Sequence, residues 1–192
     1  MKNLEAKIFQ FLSSNISPKR FEHSYCVSTL AVELAAAYGA DIFKAQTAAL
    51  LHDCAKGLDT NGLVKILKNK NKKIKYYSEI VKYSPQLLHA HAGAVIAKKE
   101  FGIKDADILN AIENHTLGRA GMSLLEKIIF IADSVSEDRK HKGRAAVREL
   151  AKRDIDRAFT FVLANKIKYV VDLGYWLCPQ TIETWNYYAE KN

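Results

Sequence analysis

The sequence AALLHDCAKG, at residues 48–57, places an adjacent histidine and aspartate at the end of a short apolar run. His52 offers an imidazole nitrogen and Asp53 a carboxylate oxygen, and both groups suit a divalent first-row metal. Two side chains do not complete the coordination of a metal, so further ligands must come from distant parts of the chain. The candidates by residue type lie on both sides of this pair: His23, His89, His91, His115 and Asp133.

The hydrophobic pattern outward from this pair is helical nearly everywhere. Asp41 is placed to cap a helix that carries the His-Asp pair and ends near Gly57. A capping-box spacing begins another helix at Ser123. No segment alternates as a strand does, and no shift in composition marks a boundary between two domains. We therefore predict an all-α fold, one helical bundle over residues 1–192.

Four of these histidines and aspartates follow apolar residues at helical spacing and therefore point into the bundle. A single buried histidine is most often a hydrogen-bonded core residue, and a single buried aspartate most often has an ion-pair partner. For the whole set a shared cation is the simplest explanation, because helical bundles build metal sites from side chains on facing helices. The inward-facing residues are His23, His52, His115 and Asp133.

Two histidines on one predicted helix compete for the same role. His89 and His91 are two residues apart, which separates them by about 200° around a helix. Only one of them can therefore face the site, and both have apolar or small neighbours at helical spacing, so periodicity does not choose between them. His141 lies in a charged stretch, and we assign it to the surface.

The formal net charge of +8 favours anionic partners such as nucleotides, nucleic acids or acidic membranes. Lysines cluster at residues 65–75, KILKNKNKKIK, which we interpret as a solvated helix end and loop. Aromatic residues do not interleave with this cluster, which argues against a nucleic-acid partner. No apolar run has the length of a membrane span and no signal peptide opens the chain, so we expect a cytoplasmic protein without a membrane partner. Three cysteines without Cys-x-x-Cys spacing indicate reduced thiols: Cys26, Cys54 and Cys178.

These residues, in this order, resemble the HD-domain phosphohydrolase superfamily, in which a histidine precedes a His-Asp doublet and a distal aspartate follows. The flanking sequences are similar to one branch, the YqeK-type symmetrical diadenosine tetraphosphatases of bacteria, over about residues 4–185. The resemblance implies one HD domain with a core at about residues 18–140, completed by C-terminal helices at residues 144–190. The matching segments are RFEHS at 20–24, AALLHDCAK at 48–56, LLH at 87–89, NHT at 114–116, GRAGMSLLEK at 118–127 and FIAD at 130–133.

The resemblance also implies an activity, the metal-dependent hydrolysis of diadenosine tetraphosphate symmetrically to two ADP. The implied cofactor is a divalent metal, first of all iron, with manganese or another first-row metal as alternatives. The implied metal ligands are His23, His52, Asp53 and Asp133. The implied catalytic residues are Asp53, Lys56, His89 and His115. The implied nucleotide contacts are Arg20, Asp53, Cys54, Ala55, Lys56, His89, His115, Asp133 and Arg139, with Trp176, Leu177, Cys178, Pro179, Gln180 and Thr181 along the base or ribose.

Two positions depart from the family's pattern. His89 is followed by Ala90 and His91 where family members often have Ala-Pro or Gly-Pro, which places a spare imidazole near the site. The chain reads SEDR at residues 136–139 and lacks the proline that commonly precedes the arginine of the family's motif. Arg139 therefore corresponds to that arginine without the proline.

Three other interpretations stay open beside this one. Another HD phosphohydrolase, acting on a (deoxy)nucleotide or guanosine tetraphosphate, would use the same ligands. A di-iron site would recruit His89 and His115 as additional ligands. A non-enzymatic nucleic-acid-binding module would use residues 65–75 and would leave the inward histidines and aspartates unexplained. The partner expected from the resemblance is a dinucleoside polyphosphate or a nucleotide, and a homodimer stays open.

Overall fold

The computed structural model describes residues 2–68, 74–140 and 143–190, and these ranges contain helices and no strand. The all-α prediction is confirmed. Residues 69–73 of the lysine cluster, which include three of its six lysines, and His141 lie outside the described residues. The helices are α1 (Lys2–Asn15), α2 (Pro18–Ala37), α3 (Ile42–Leu51), α4 (Thr60–Leu67), α5 (Tyr77–Tyr83), a 3-10 turn (Pro85–Leu87), α6 (Leu88–Phe101), α7 (Ala106–Asn114), α8 (Leu124–Val135), α9 (Arg144–Arg153), α10 (Ile155–Asp172) and α11 (Pro179–Ala189).

The bundle is organised around α8, which contacts α2, α3, α7, α9 and α10. Its residues from Ile128 to Asp133 are all buried, so the helix runs through the core rather than along its edge. α3 packs closely on α2, because Ala45, Ala48 and Ala49 are fully buried and leave room for the neighbouring backbone. No helix among the described residues has the length and apolar character that a membrane crossing requires.

The prediction that α3 continues to Gly57 is wrong, because the helix ends at Leu51. The Nδ1–H of His52 donates to the Ala49 carbonyl oxygen at 2.6 Å, and tighter three-residue turns follow. In these turns the Cys54 amide donates to the Leu51 carbonyl at 3.2 Å. The predicted Asp41 cap is present, since its side chain accepts from the Lys44 amide. The early end of α3 turns the His-Asp pair away from the helix surface and into the bundle.

A buried carboxylate anchors the loop between α7 and α8. Glu126 is fully buried, and it accepts from Arg119 Nε at 2.7 Å, Asn114 Nδ2 at 2.9 Å and the Ser123 amide at 2.7 Å. The Ser123 hydroxyl accepts in turn from the Glu126 amide, which completes the predicted capping box. Asn114 directly precedes His115, a candidate site residue. The Glu126 network therefore holds the loop that begins at His115.

Replacing Glu126 with alanine is expected to lower the free energy of unfolding by about 2–4 kcal/mol, because hydrogen bonds to a buried charged group are lost together with a helix cap. Arg119 is partly exposed and recovers water, which limits the loss. Urea denaturation followed by circular dichroism measures the effect. Glu149 is the control, because its carboxylate is exposed and Glu149→Ala should leave the midpoint nearly unchanged. Equal midpoints for the two variants would contradict this account.

Candidate functional site

Five buried histidines and aspartates form two groups that share one aspartate. In the first group, His23 on α2 meets His52 and Asp53 at the end of α3. In the second, Asp53 meets His89 on α6 and His115 at the end of α7. Within each group, one nitrogen or oxygen atom per residue lies within 4.8 Å of the others, which is the arrangement that a metal ion requires.

Asp133 joins the first group from α8. Its Oδ1 lies 3.1 Å from His23 Nε2 and 3.8 Å from His52 Nε2. The four residues proposed as metal ligands on resemblance, contributed by α2, the end of α3 and α8, thus converge in one place. Burial alone would raise the pKa of Asp133, but Lys166, His23 and other neighbouring positive groups hold it well below its usual range.

Asp53 stands between the two groups and presents one oxygen to each side. Its Oδ1 lies 3.0 Å from His89 Nε2 and 3.4 Å from His115 Nε2, although neither contact has hydrogen-bond geometry. Its Oδ2 accepts from Lys56 Nζ at 2.9 Å and lies 3.6 Å from His52 Nε2. Burial would raise the pKa of this carboxyl, but the imidazoles of His52, His115 and His89 hold it well below its usual range.

Two of these atoms lack a partner in the part of the chain that the structure describes. His52 Nε2 and Asp53 Oδ1 are buried and accept or donate no hydrogen bond. A buried polar atom without a partner is costly, and each of these two would be satisfied by coordination to a cation. Burial lowers the pKa of His52 to about 4, so its imidazole is neutral near pH 7, as a metal ligand must be. The residues present therefore fit a divalent metal.

The tautomers of three histidines follow from their backbone partners. His52, His89 and His115 each place Nδ1 against a carbonyl oxygen, at 2.6, 2.5 and 2.8 Å respectively. A carbonyl can only accept, so Nδ1 carries the proton, and a ring that is neutral then presents a lone pair on Nε2. All three Nε2 atoms lie within 3.6 Å of an Asp53 oxygen. Burial lowers the pKa of His115, which favours its neutral form.

The structure shows that His89, and not His91, faces Asp53. His89 Nε2 faces Asp53, whereas His91 Nδ1 lies 3.0 Å from Glu113 Oε1. The histidine predicted as spare is thus buried and paired with a carboxylate on α7. Periodicity could not make this choice, because α6 is buried on every side over its first two turns.

Three cations reach the two aspartates. Lys56 holds Asp53, Arg139 Nη2 donates to Asp133 Oδ1 at 2.6 Å, and Lys166 Nζ lies 3.4 Å from Asp133 Oδ2. Lys56 and Arg139 are among the predicted nucleotide contacts, but Lys166 was missed. Its signal is the apolar stripe of α10, since Lys166 follows Phe159, Val162 and Leu163 at helical spacing.

The remaining predicted nucleotide contacts have the following surroundings in the structure. Arg20 is half-buried, one turn before His23 on α2, whereas the side chains of Cys54 and Ala55 are buried in the core. Trp176 stacks on Tyr83 with ring centroids 5.5 Å apart. Gln180 Nε2 donates to the Gly118 carbonyl at 2.7 Å, so the start of α11 holds the loop that follows His115. Cys178 and Thr181 are buried, Leu177 is half-buried, and Pro179 begins α11.

Comparisons with known proteins agree with this geometry. The family model described as the HD domain matches residues 20–138. The chain is 38% identical over 180 residues to a symmetrical bis(5'-nucleosyl)-tetraphosphatase from Halalkalibacterium halodurans, with 94% of each chain covered. It is 34% identical over 176 residues to the protein of the same name from Bacillus subtilis, with 92% of each covered. A crystal structure titled as a predicted HD superfamily hydrolase involved in NAD metabolism, from Clostridium acetobutylicum, is 42% identical, covers 98% of each chain and gives a TM-score of 0.92.

Proposed function

The chain belongs to the HD domain family, and from that premise we propose that it hydrolyses diadenosine tetraphosphate symmetrically to two ADP. The relatives that carry this activity in their names match over more than nine-tenths of both chains, so the likeness extends well beyond the His/Asp residues. The observation that supports the proposal most strongly is the position of Asp53. This aspartate lies between two groups of buried histidines and next to the ammonium group of Lys56.

His23, His52, Asp53 and Asp133 would hold the metal, which we propose to be iron, with manganese or another first-row ion as alternatives. When bound, such a cation acts as a Lewis acid for a phosphoryl oxygen and lowers the pKa of water. The buried, unpartnered atoms His52 Nε2 and Asp53 Oδ1 support this assignment.

The cations around the aspartates bind the polyphosphate. Lys56 and Arg139 each have a side chain that is 38% exposed, so they can reach a substrate while their carboxylate partners stay buried. Four linked phosphates carry several negative charges, and fixed positive groups stabilise the charge that shifts onto the leaving ADP in the transition state. Asp53, as a low-pKa carboxylate, accepts the hydrogen bond that orients an attacking water.

The second group, Asp53 with His89 and His115, has two candidate roles. A phosphate clamp requires histidines that donate from Nε2, and therefore imidazolium rings. The carbonyl partner of Nδ1 is compatible with either form, but burial lowers the pKa of His115 and favours its neutral ring, and the Nε2 atoms of His89 and His115 lie 3.0 and 3.4 Å from Asp53 Oδ1, which has no hydrogen-bond partner among the described residues. These contacts support a second metal ion over the clamp that the family resemblance implies.

Products distinguish this function from its competitors. Diadenosine tetraphosphate should give ADP alone, two per substrate consumed, because cleavage falls between the second and third phosphates. Anion-exchange chromatography measures the nucleotides, and the same preparation should be tested with guanosine tetraphosphate and with (deoxy)nucleoside triphosphates. Release of AMP and ATP would contradict symmetrical cleavage, and faster turnover of the mononucleotides would favour another HD phosphohydrolase.

A homodimer and a cytoplasmic location stay predictions. A nucleic-acid-binding module is not favoured, because it would give no role to the buried groups around Asp53. Residues 69–73, which contain three of the six clustered lysines, are outside the described residues.

A further inference from the structure

His23 is held differently from the other three histidines of the site. The Nδ1 atoms of His52, His89 and His115 face backbone carbonyls, whereas His23 Nδ1 lies 2.8 Å from Asp138 Oδ2. Side chains therefore contact both ring nitrogens of His23. Asp138 contacts Nδ1, and Asp133 contacts Nε2.

The difference follows from where each histidine stands on its helix. His52 and His115 are the capping residues after α3 and α7, and His89 is the second residue of α6. After the C-terminal end of a helix, as at His52 and His115, the carbonyls of the last turn are free to accept from an imidazole. His89, at the start of α6, contacts the Gln86 carbonyl of the preceding 3-10 turn. His23 lies in the interior of α2, where backbone amides already occupy the preceding carbonyls, so its Nδ1–H needs an acceptor from outside the helix.

Asp138 is itself fixed in place. The Ser136 hydroxyl, on a fully buried residue, donates to Asp138 Oδ1 at 2.6 Å. The Arg139 amide donates to the Ser136 carbonyl at 3.1 Å, which closes the turn that carries the aspartate. One carboxylate oxygen is thus held by the turn and the other is left for His23.

We propose that Asp138 is a positioning residue for metal binding, which acts by holding the His23 ring so that Nε2 faces the cation. This proposal rests on the assignment of His23 as a metal ligand under the proposed function. A carboxylate on the far nitrogen of a ligating histidine fixes its tautomer and raises its basicity, and loss of such a partner typically weakens metal binding about 10- to 100-fold.

Titration of the metal-free protein with Co²⁺, followed by visible absorption, tests the proposal without a measurement of turnover. Asp138→Ala is expected to raise the Kd for Co²⁺ by about 10- to 100-fold. Asp138→Asn should raise it less, because the amide oxygen still accepts from Nδ1–H although the charge is lost. Glu137→Ala is the matched control, since Glu137 is the adjacent, exposed carboxylate, and its Kd should equal that of the wild type. Circular dichroism melting confirms that each variant is folded, and Asp138→Asn keeps the test decisive if the alanine variant does not fold.

The outcomes separate this proposal from the proposed function. If His23→Ala weakens Co²⁺ binding and the Asp138 variants bind as the wild type does, the positioning role is wrong and the metal assignment stands. If His23→Ala binds Co²⁺ as tightly as the wild type, both the ligand assignment and the role of Asp138 are overturned. A graded loss from Asp138→Asn to Asp138→Ala, with Glu137→Ala unchanged, supports the proposal.

Discussion

Asp53→Ala protein is expected to retain no metal at the first group and to show no hydrolysis of diadenosine tetraphosphate above background. The carboxylate belongs to both groups of candidate ligands, and one side chain replacement therefore removes an oxygen from each. His52→Ala should behave in the same way, because His52 Nε2 has no hydrogen-bond partner among the described residues and is left for the expected cation. Both side chains are buried, so circular dichroism melting is used to confirm that each variant is folded.

Metal per chain, measured by mass spectrometry after purification without chelator, is compared with the rate for each variant. Asp53→Asn preserves the shape of the side chain and shows whether the charge is what matters. Asp172→Ala is the control, because that carboxylate is exposed and pairs with Lys168 on α10. Full activity in metal-free Asp53→Ala protein would end the metal-dependent mechanism.

The second large effect is expected at His115. His115→Ala should lower the rate about 10²- to 10³-fold, the loss expected when one group that stabilises transition-state charge, directly or through a metal ion, is removed. His89→Ala should lose a similar factor, because the two Nε2 atoms lie 3.2 Å apart and face the same oxygen of Asp53. Because His89 and His115 share Asp53 in the second group of candidate ligands, we expect that each variant also binds about one metal fewer per chain than the wild type.

Metal content decides which role these two histidines have. If His89→Ala and His115→Ala keep the full metal complement while the rate falls, they are phosphate contacts and the site holds one ion. His91→Ala is the matched control on α6, and its rate should stay within a few-fold of the wild type, since His91 pairs with Glu113. A severe loss of rate in His91→Ala would mean that the assignment of His89 to the site is wrong.

Much of this centre could be predicted from local patterns. Apolar stripes point His23, His52, His115 and Asp133 inward, and the structure brings all four together. Periodicity does not choose the site residue where a helix is buried on every side, as α6 is at His89. It also does not predict where a helix ends when a side chain binds a backbone carbonyl, as His52 does at the end of α3.

The contributions of loops and of distant helices could not be predicted in the same way. Asp138 lies in a charged turn without periodicity, so only the folded chain reveals that it meets His23. Lys166 follows the apolar residues of α10 at helical spacing, so the sequence indicates that it faces inward. Which residue it contacts depends on how α10 packs against α8.

The contact between Arg139 and Asp133 has a thermodynamic consequence. The guanidinium donates to Oδ1, the same oxygen that faces His23 and His52, so it competes with a cation for that atom. A cation that displaces Arg139 releases a positive side chain toward solvent, where a polyphosphate can bind it. Under the proposed function, metal and substrate would then bind with positive cooperativity, and reciprocity requires each to tighten the binding of the other by the same factor.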